Sequence, residues 1–291
     1  MQKQNQRILI IGLGQIGYSD AEYIRKRGLK ADGYDVDERA IQRALAAKVI
    51  RREAKTFKGY DYYLVCVSTH NPNDPTLPYF NGLLETTERI SREGTKKSVV
   101  SIESTISTNV CTEVTGILGH RLHIAHVPHR YYAKDAEEHG VRQLRVLGGH
   151  ENCCTDRAIY FYEKILGIPV YKVSSMELAA LSKVVENSYR FLQIAFAEEL
   201  KLLCDVHGQN FEELRNAVNT KWNVELLEAR QGIGGHCLPK DTRIYLNLSN
   251  RVPFPSIIHS AVQINSQYEA DIRKDDVFDT VLPMRLVARQ K

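Results

Sequence analysis

The stretch RILIIGLGQIG, residues 7–17, constrains the fold more than any other part of the chain. Arg7 to Gly12 is a short apolar run suited to a strand, and it passes straight into Gly12-Leu13-Gly14-Gln15-Ile16-Gly17, after which a helical pattern begins. In that context the glycines permit a tight turn and let backbone approach a pyrophosphate, whose charge is met by the helix N-terminus. The next apolar run, Leu29 to Asp35, ends on an acid about twenty residues further on, where a carboxylate can accept hydrogen bonds from an adenosine ribose. Asp35 favours NAD over NADP, because a 2′-phosphate would be repelled. Arg39, close by in sequence, pulls the other way.

The same alternation continues. Asp61–Thr69, Lys97–Thr105, Leu122–Val127, Leu144–Gly149 and Ile168–Val173 are further apolar runs of strand length, with helix-like stretches between most of them, including one from Asp156 to Leu166. Nearly continuous apolar strands alternating with helices predict an α/β fold with a Rossmann-like, doubly wound, mostly parallel sheet over residues 1–173. From residue 174 the pattern turns helical. Met176 to Gly208 keeps a helical period for about thirty residues, and two helices with a break would show the same period. A short helix at Phe211–Val218 follows, then a loop carrying GIGGHCLPKD (Gly232–Asp241), then a helix from near Pro255. Residues 174–291 therefore form an all-α central domain whose long helix suits a dimer interface.

Composition excludes more than it selects. With 43% hydrophobic and 25% charged residues the chain can bury a sizeable core. Its net charge of +4 balances 39 basic against 35 acidic residues, with no dense basic tract for nucleic acid. No apolar run approaches the ~20 residues that span a bilayer, so a cytoplasmic location without membrane partners is expected. The six cysteines contain no CxxC pair, which points to reduced thiols and to no metal site.

Candidate chemistry gathers at three places. The ends of the third and fourth strands, with Val67, Ser68 and Thr69, then Ser104 and Thr105, should line the crevice beyond the sheet, although the same hydroxyls could simply cap helices. Lys183 and Asn187, four apart on the long helix, share a face and together could hold an oxyanion. Cys237 stands behind a glycine run and ahead of Lys240 and Asp241, where a thiolate would be an effective nucleophile; a buried structural cysteine is the alternative.

Taken together, GLGQIG with Asp35, CVST (Cys66–Thr69), EST (Glu103–Thr105), ALSKVVEN (Ala180–Asn187) running into IAFAEEL, AVNTK (Ala217–Lys221) and GGHCLPKDTRIYL (Gly235–Leu246) resemble the nucleotide-sugar dehydrogenases. These are the UDP-glucose, GDP-mannose and UDP-N-acetylmannosamine 6-dehydrogenases. GGHC with VVEN and NTK looks most similar to the N-acetylmannosamine branch. The resemblance implies oxidation of a sugar C6 alcohol to a carboxylate with NAD, Cys237 forming a thiohemiacetal and then a thioester. It implies that Lys183 and Asn187 stabilise the alkoxide and oxyanion, that Asp241 with Thr105 positions water, and that Lys240 lies beside the cofactor. It also implies a homodimer through the long helix.

Two departures accompany it. His129, in VPHRYYAKD, stands where the family usually has a glutamate that assists proton transfer or hydrolysis, with Glu137 and Glu138 close enough in sequence to substitute. The residues after Pro255 are also too few for the family's C-terminal nucleotide-gripping domain, so a substrate without a full nucleotide handle, or a partner chain supplying that domain, is expected. Two further readings stay open: a two-electron hydroxyacid-type dehydrogenase using Lys183 and Asn187, and a non-catalytic NAD-binding subunit.

Overall fold

A computed structural model describes residues 6–287. Seven strands, β1 (Ile8–Ile11), β2 (Ala31–Tyr34), β3 (Tyr62–Val65), β4 (Val99–Ile102), β5 (His123–His126), β6 (Arg145–Gly149) and β7 (Val170–Lys172), form one sheet in the order β2-β1-β3-β4-β5-β6-β7. Every pairing is parallel except that of β5 with β6. All seven apolar runs read from the sequence are strands.

The sheet is buried on both faces except at its edge strand β7, where Tyr171 and Lys172 are exposed, and that burial is why its inner strands read as apolar runs. Ile8 and Ile10 of β1 point into one core with Ile24, Ile41, Leu64 and Phe161. Leu9 and Ile11, alternating with them, enter the opposite core with Val65, Val100, Ile102 and Ile124. Each such side chain contributes about 1.5–3 kcal/mol on burial, so the two-sided pattern fixes register: a slip of one residue exchanges every side chain between the faces.

Helices α1 (Gln15–Lys26), α2 (Glu38–Ala46), α3 (Asn81–Glu93), α4 (Thr108–Leu118) and α5 (Asn152–Ile159) connect the strands. Asp37 caps α2 by accepting the Arg39 N–H, and Ser107 caps α4 by accepting that of Val110. The helix expected from Asp156 starts earlier, at Asn152, and changes to π winding over Tyr160–Leu166, where Gly167 ends it with φ +69°. That wider winding carries Phe161, stacked on Tyr62 with ring centroids 4.1 Å apart, and the buried Tyr162.

The long helix α6 (Met176–Val206) is continuous for 31 residues. It is followed by α7 (Phe211–Val218), α8 (Cys237–Ser249) and α9 (Ile257–Val287). Two compact units result. The first contains the described residues up to Asn71 together with Tyr79–Lys183, and the second contains Pro72–Pro78 with the described residues from Val184 onward. In the second, Phe191 and Ala195 of α6 pack with Ile233 and with Ala261 of α9, while Ala197 and Cys204 pack with Phe211 and Leu226. Among the described residues no helix is long and apolar enough to cross a membrane.

Candidate active site

In the first unit the glycine turn lies at the carboxyl end of β1, where the strand order reverses between β1 and β3, the usual place for a ligand in an open α/β sheet. Gly12 has φ +91°, and a Cβ there would stand 2.6 Å from the Cys66 carbonyl oxygen. A Cβ on Gly17 would meet the Gly12 carbonyl oxygen at 1.8 Å, so these two glycines are demanded by packing inside the turn. Gly14 differs: among the described residues nothing lies within 4 Å of its would-be Cβ, and Gln15, Ile16 and Gly17 form the first turn of α1 behind it. Open space in front of a glycine N-cap, with helix N–H groups behind it, is what a pyrophosphate requires.

Asp35 is tied into that turn. One carboxylate oxygen accepts the Leu13 N–H at 2.5 Å, and the other accepts the Asp37 N–H at 2.9 Å. The carboxylate retains lone pairs beyond these two bonds, so it can still accept from a ribose hydroxyl. Arg39 is paired with Asp37, its Nε 3.1 Å from the carboxylate, which engages the cation that would otherwise serve a 2′-phosphate. The residues of this turn fit a dinucleotide.

The strand-end hydroxyls have mixed roles. Ser104 donates to the carbonyls of Val67 (2.6 Å) and Val65 (3.3 Å), stitching the ends of β3 and β4 together. Ser68 is exposed beside His70 Nδ1 at 3.2 Å. Thr69 is buried and its carbonyl accepts the Tyr79 N–H. Thr105 is half-buried in the segment between β4 and α4.

His129 is not turned toward open space. It is buried, with Nε2 2.9 Å from both Asp20 and Glu103. Arg145 completes the group, Nη1 lying 2.6 Å from Glu103 and Nη2 3.1 Å from Asp20. Tyr162 donates to Glu103 at 2.5 Å. Two carboxylates, one guanidinium and one imidazolium sum to zero charge, which is how four ionisable side chains share an interior. Burial opposes ionisation of Asp20, but His129 and Arg145 outweigh it and hold the carboxyl well below its ordinary range. Burial and Arg145 press the His129 pKa down, and Asp20 and Glu103 more than offset them, so it is raised. The imidazole at the position of the family glutamate is thus a counter-ion. Glu137 and Glu138 are exposed. Asp20 and Arg145 belong to none of the sequence motifs; the signal for Asp20 is an acid on the apolar face of α1 beside Gly17, Ala21 and Ile24.

In the second unit the stretch expected to be a loop is helical from Cys237 onward. Gly232 and Gly235 turn the chain with φ +86° and +77°, His236 is the N-cap, and Cys237 is the first residue of α8. Pro239 fits in the first turn, where its missing N–H removes no helical bond. Cys237 is exposed, its Sγ 3.3 Å from His236 Nδ1, at the end of the helix whose partial positive charge favours a thiolate. One turn on, Lys240 and Asp241 are both buried and paired, Nζ to Oδ1 at 2.8 Å. Asn187 of α6 donates its amide to the other oxygen of Asp241. Lys183 lies one turn before Asn187 along α6. Asn219, in the AVNTK stretch, clasps the Leu226 backbone in both directions at 3.0 and 2.6 Å and so closes the loop after α7.

The described arrangement matches known proteins in sequence and in fold. Residues 177–267 match the model of the UDP-glucose/GDP-mannose dehydrogenase family, central domain. A UDP-N-acetyl-D-mannosamine dehydrogenase of Pyrococcus horikoshii is 27% identical over 294 residues, covering 91% of this chain and 69% of its own length. The enzyme of the same name from Salmonella typhimurium is 28% identical over 269 residues, covering 80% and 63%. Among solved structures, the UDP-D-ManNAc dehydrogenase of Pyrococcus horikoshii superposes with a TM-score of 0.81 at 24% identity, over 96% of this chain and 72% of the other. The chain spans about two thirds of the length of these curated relatives.

Proposed function

We propose that this chain, which is similar to the UDP-N-acetyl-D-mannosamine dehydrogenases and matches the UDP-glucose/GDP-mannose dehydrogenase central-domain model over residues 177–267, is a nucleotide-sugar dehydrogenase that oxidises the C6 alcohol of a sugar, a UDP-N-acetylhexosamine being favoured, to the uronate with NAD. The single observation that carries this reading lies in the second unit. The exposed Cys237 opens the same helix that holds Asp241, and Asp241 is bonded to Asn187 of the family helix α6.

Gly12, Leu13, Gly14, Gln15, Ile16, Gly17 and Asp35 would hold NAD, with Val67, Ser68, Thr69 and Ser104 beside it; the engagement of Arg39 by Asp37 supports NAD over NADP. Bound NAD supplies a hydride acceptor, used twice. The chain's own residues do the remainder. The water held by Asp241 and Thr105 takes the hydroxyl proton, and Lys183 and Asn187 stabilise the resulting alkoxide, which becomes an aldehyde as its hydride leaves. The Cys237 sulfur then adds to that carbonyl, and the same ammonium and amide meet the oxyanion. Loss of a second hydride converts the thiohemiacetal to a thioester. Asp241, with Thr105, orients the water whose oxygen replaces sulfur, releasing the carboxylate and returning a proton to the thiol. Lys240, proposed to lie beside the cofactor, pairs with Asp241 and fixes its position.

The identity of the substrate follows the relatives, both of which are named for UDP-N-acetyl-D-mannosamine. A second copy of this chain is the proposed partner: Val185, Tyr189, Phe196 and Leu203 leave an exposed apolar stripe along α6.

The test is turnover of UDP-N-acetylmannosamine with NAD, following NADH and uronate together. Two NADH per sugar with the acid as product support the four-electron reading. In Cys237→Ser, acid formation should be lost; unchanged acid formation by that variant would sink the thioester.

A further inference from the structure

Apart from both sets of residues above, three elements of the first unit bring four soft ligand atoms together. His120 lies in the short 3-10 turn after α4, His123 opens β5, and Cys153 and Cys154 sit in the first turn of α5. One ligand atom from each lies within 4.8 Å of all the others. His120 Nε2 is 3.2 Å from Cys153 Sγ, and Cys154 Sγ is 3.6 Å from His123 Nδ1. The two imidazoles meet edge to face with centroids 5.9 Å apart.

Zinc bonds of about 2.0–2.1 Å to nitrogen and about 2.3 Å to sulfur, at tetrahedral angles, separate nitrogen and sulfur ligands by about 3.5 Å. Both nitrogen–sulfur spacings here fall near that value. We propose that His120, His123, Cys153 and Cys154 form a structural site for one divalent ion of the zinc class. Two thiolates and two imidazoles select such an ion over magnesium or calcium, which prefer oxygen. Binding displaces one proton from each thiol, so the doubly charged ion and two thiolates leave a neutral centre.

Four protein ligands fill a tetrahedral sphere and leave no open position for substrate, which makes the role structural. Placement agrees. His123 is at the amino end of β5, whereas the glycine turn is at the carboxyl end of the parallel β1, so the ion would sit at the opposite edge of the sheet from the dinucleotide turn. There it would fasten the α4-to-β5 connection to the start of α5. The expectation of no metal rested on the missing CxxC spacing, and these ligands are instead an HxxH and a CC pair about thirty residues apart.

The experiment uses the full chain purified under reducing conditions. Bound zinc is counted by mass spectrometry, and the chelated protein is titrated with cobalt(II). One equivalent is expected, with thiolate-to-cobalt charge transfer and the intense visible bands of tetrahedral cobalt. His120→Ala and Cys153→Ser, both at exposed positions, should weaken binding about tenfold or more. Cys237→Ser should leave it unchanged. Chelation should lower the Tm of the parent protein and leave that of the double variant alone. An octahedral cobalt spectrum, loss of binding in Cys237→Ser instead, or a metal-free protein whose mass shows a Cys153–Cys154 disulfide would each overturn the proposal.

Discussion

Asn187 of α6 donates its side-chain amide to the carboxylate of Asp241 on α8, so two helices meet through the groups assigned to the oxyanion and to the water. Asp241→Asn keeps an acceptor for that amide but removes the negative charge. It should lower acid formation by about 10²-fold or more and leave sugar covalently attached to Cys237, measurable as a mass adduct on the intact protein. An unmodified protein with normal turnover would exclude Asp241 from hydrolysis.

The buried group of Asp20, Glu103, His129 and Arg145 should dominate acid sensitivity. Arg145→Met strands two carboxylates and should cost about 3–5 kcal/mol in urea unfolding. Because the Asp20 pKa is lowered in the folded state, its stabilisation exists above the ordinary value of 3.8 and is lost as pH falls through the folded value. Stability of the parent should therefore drop steeply below pH 3.8, and the drop should be shallower in Asp20→Asn.

Glu198 on α6 acts in the opposite sense. It is buried, neither carboxylate oxygen is hydrogen-bonded among the described residues, and burial, with Glu269 of α9 nearby, pushes its pKa up to about 7. A raised carboxyl pKa stabilises the fold below the unfolded value of 4.5, and that stability is lost as pH rises to about 7. Glu198→Gln should flatten this window and raise stability at pH 8 by about 1–3 kcal/mol. An unaltered pH dependence of Tm would show that the carboxyl is solvated.

Phe196 is half exposed on the apolar stripe of α6. If two copies associate along this helix, Phe196→Glu should convert a dimer to a monomer in sedimentation at micromolar protein. A parent that sediments as a monomer would refute the pairing.

Much of the first unit is readable from sequence because the strands covered on both faces are written as apolar runs; the exposed edge strand β7 is readable from its short run at Ile168–Val173. The glycine turn and Asp35 were readable because their roles are local. Two features were not. The helical start at Cys237 was masked by the preceding glycines, although Pro239 in a first helical turn was a usable sign. The ion cluster around His129 draws on α1, the end of β4, the residues after β5 and β6, so its members are partners only once the sheet exists. The same holds for His120, His123, Cys153 and Cys154.

The bond from Leu13 to Asp35 bears on coenzyme engineering. The usual first step toward accepting a 2′-phosphorylated dinucleotide is to delete the acid at the end of the second strand. Here that acid also anchors the glycine turn proposed to face the phosphates and, through Asp37, the start of α2. On the proposed reading, deleting it loosens the turn for either coenzyme before selectivity changes, so a redesign has to supply a neutral acceptor for the Leu13 N–H in the same step.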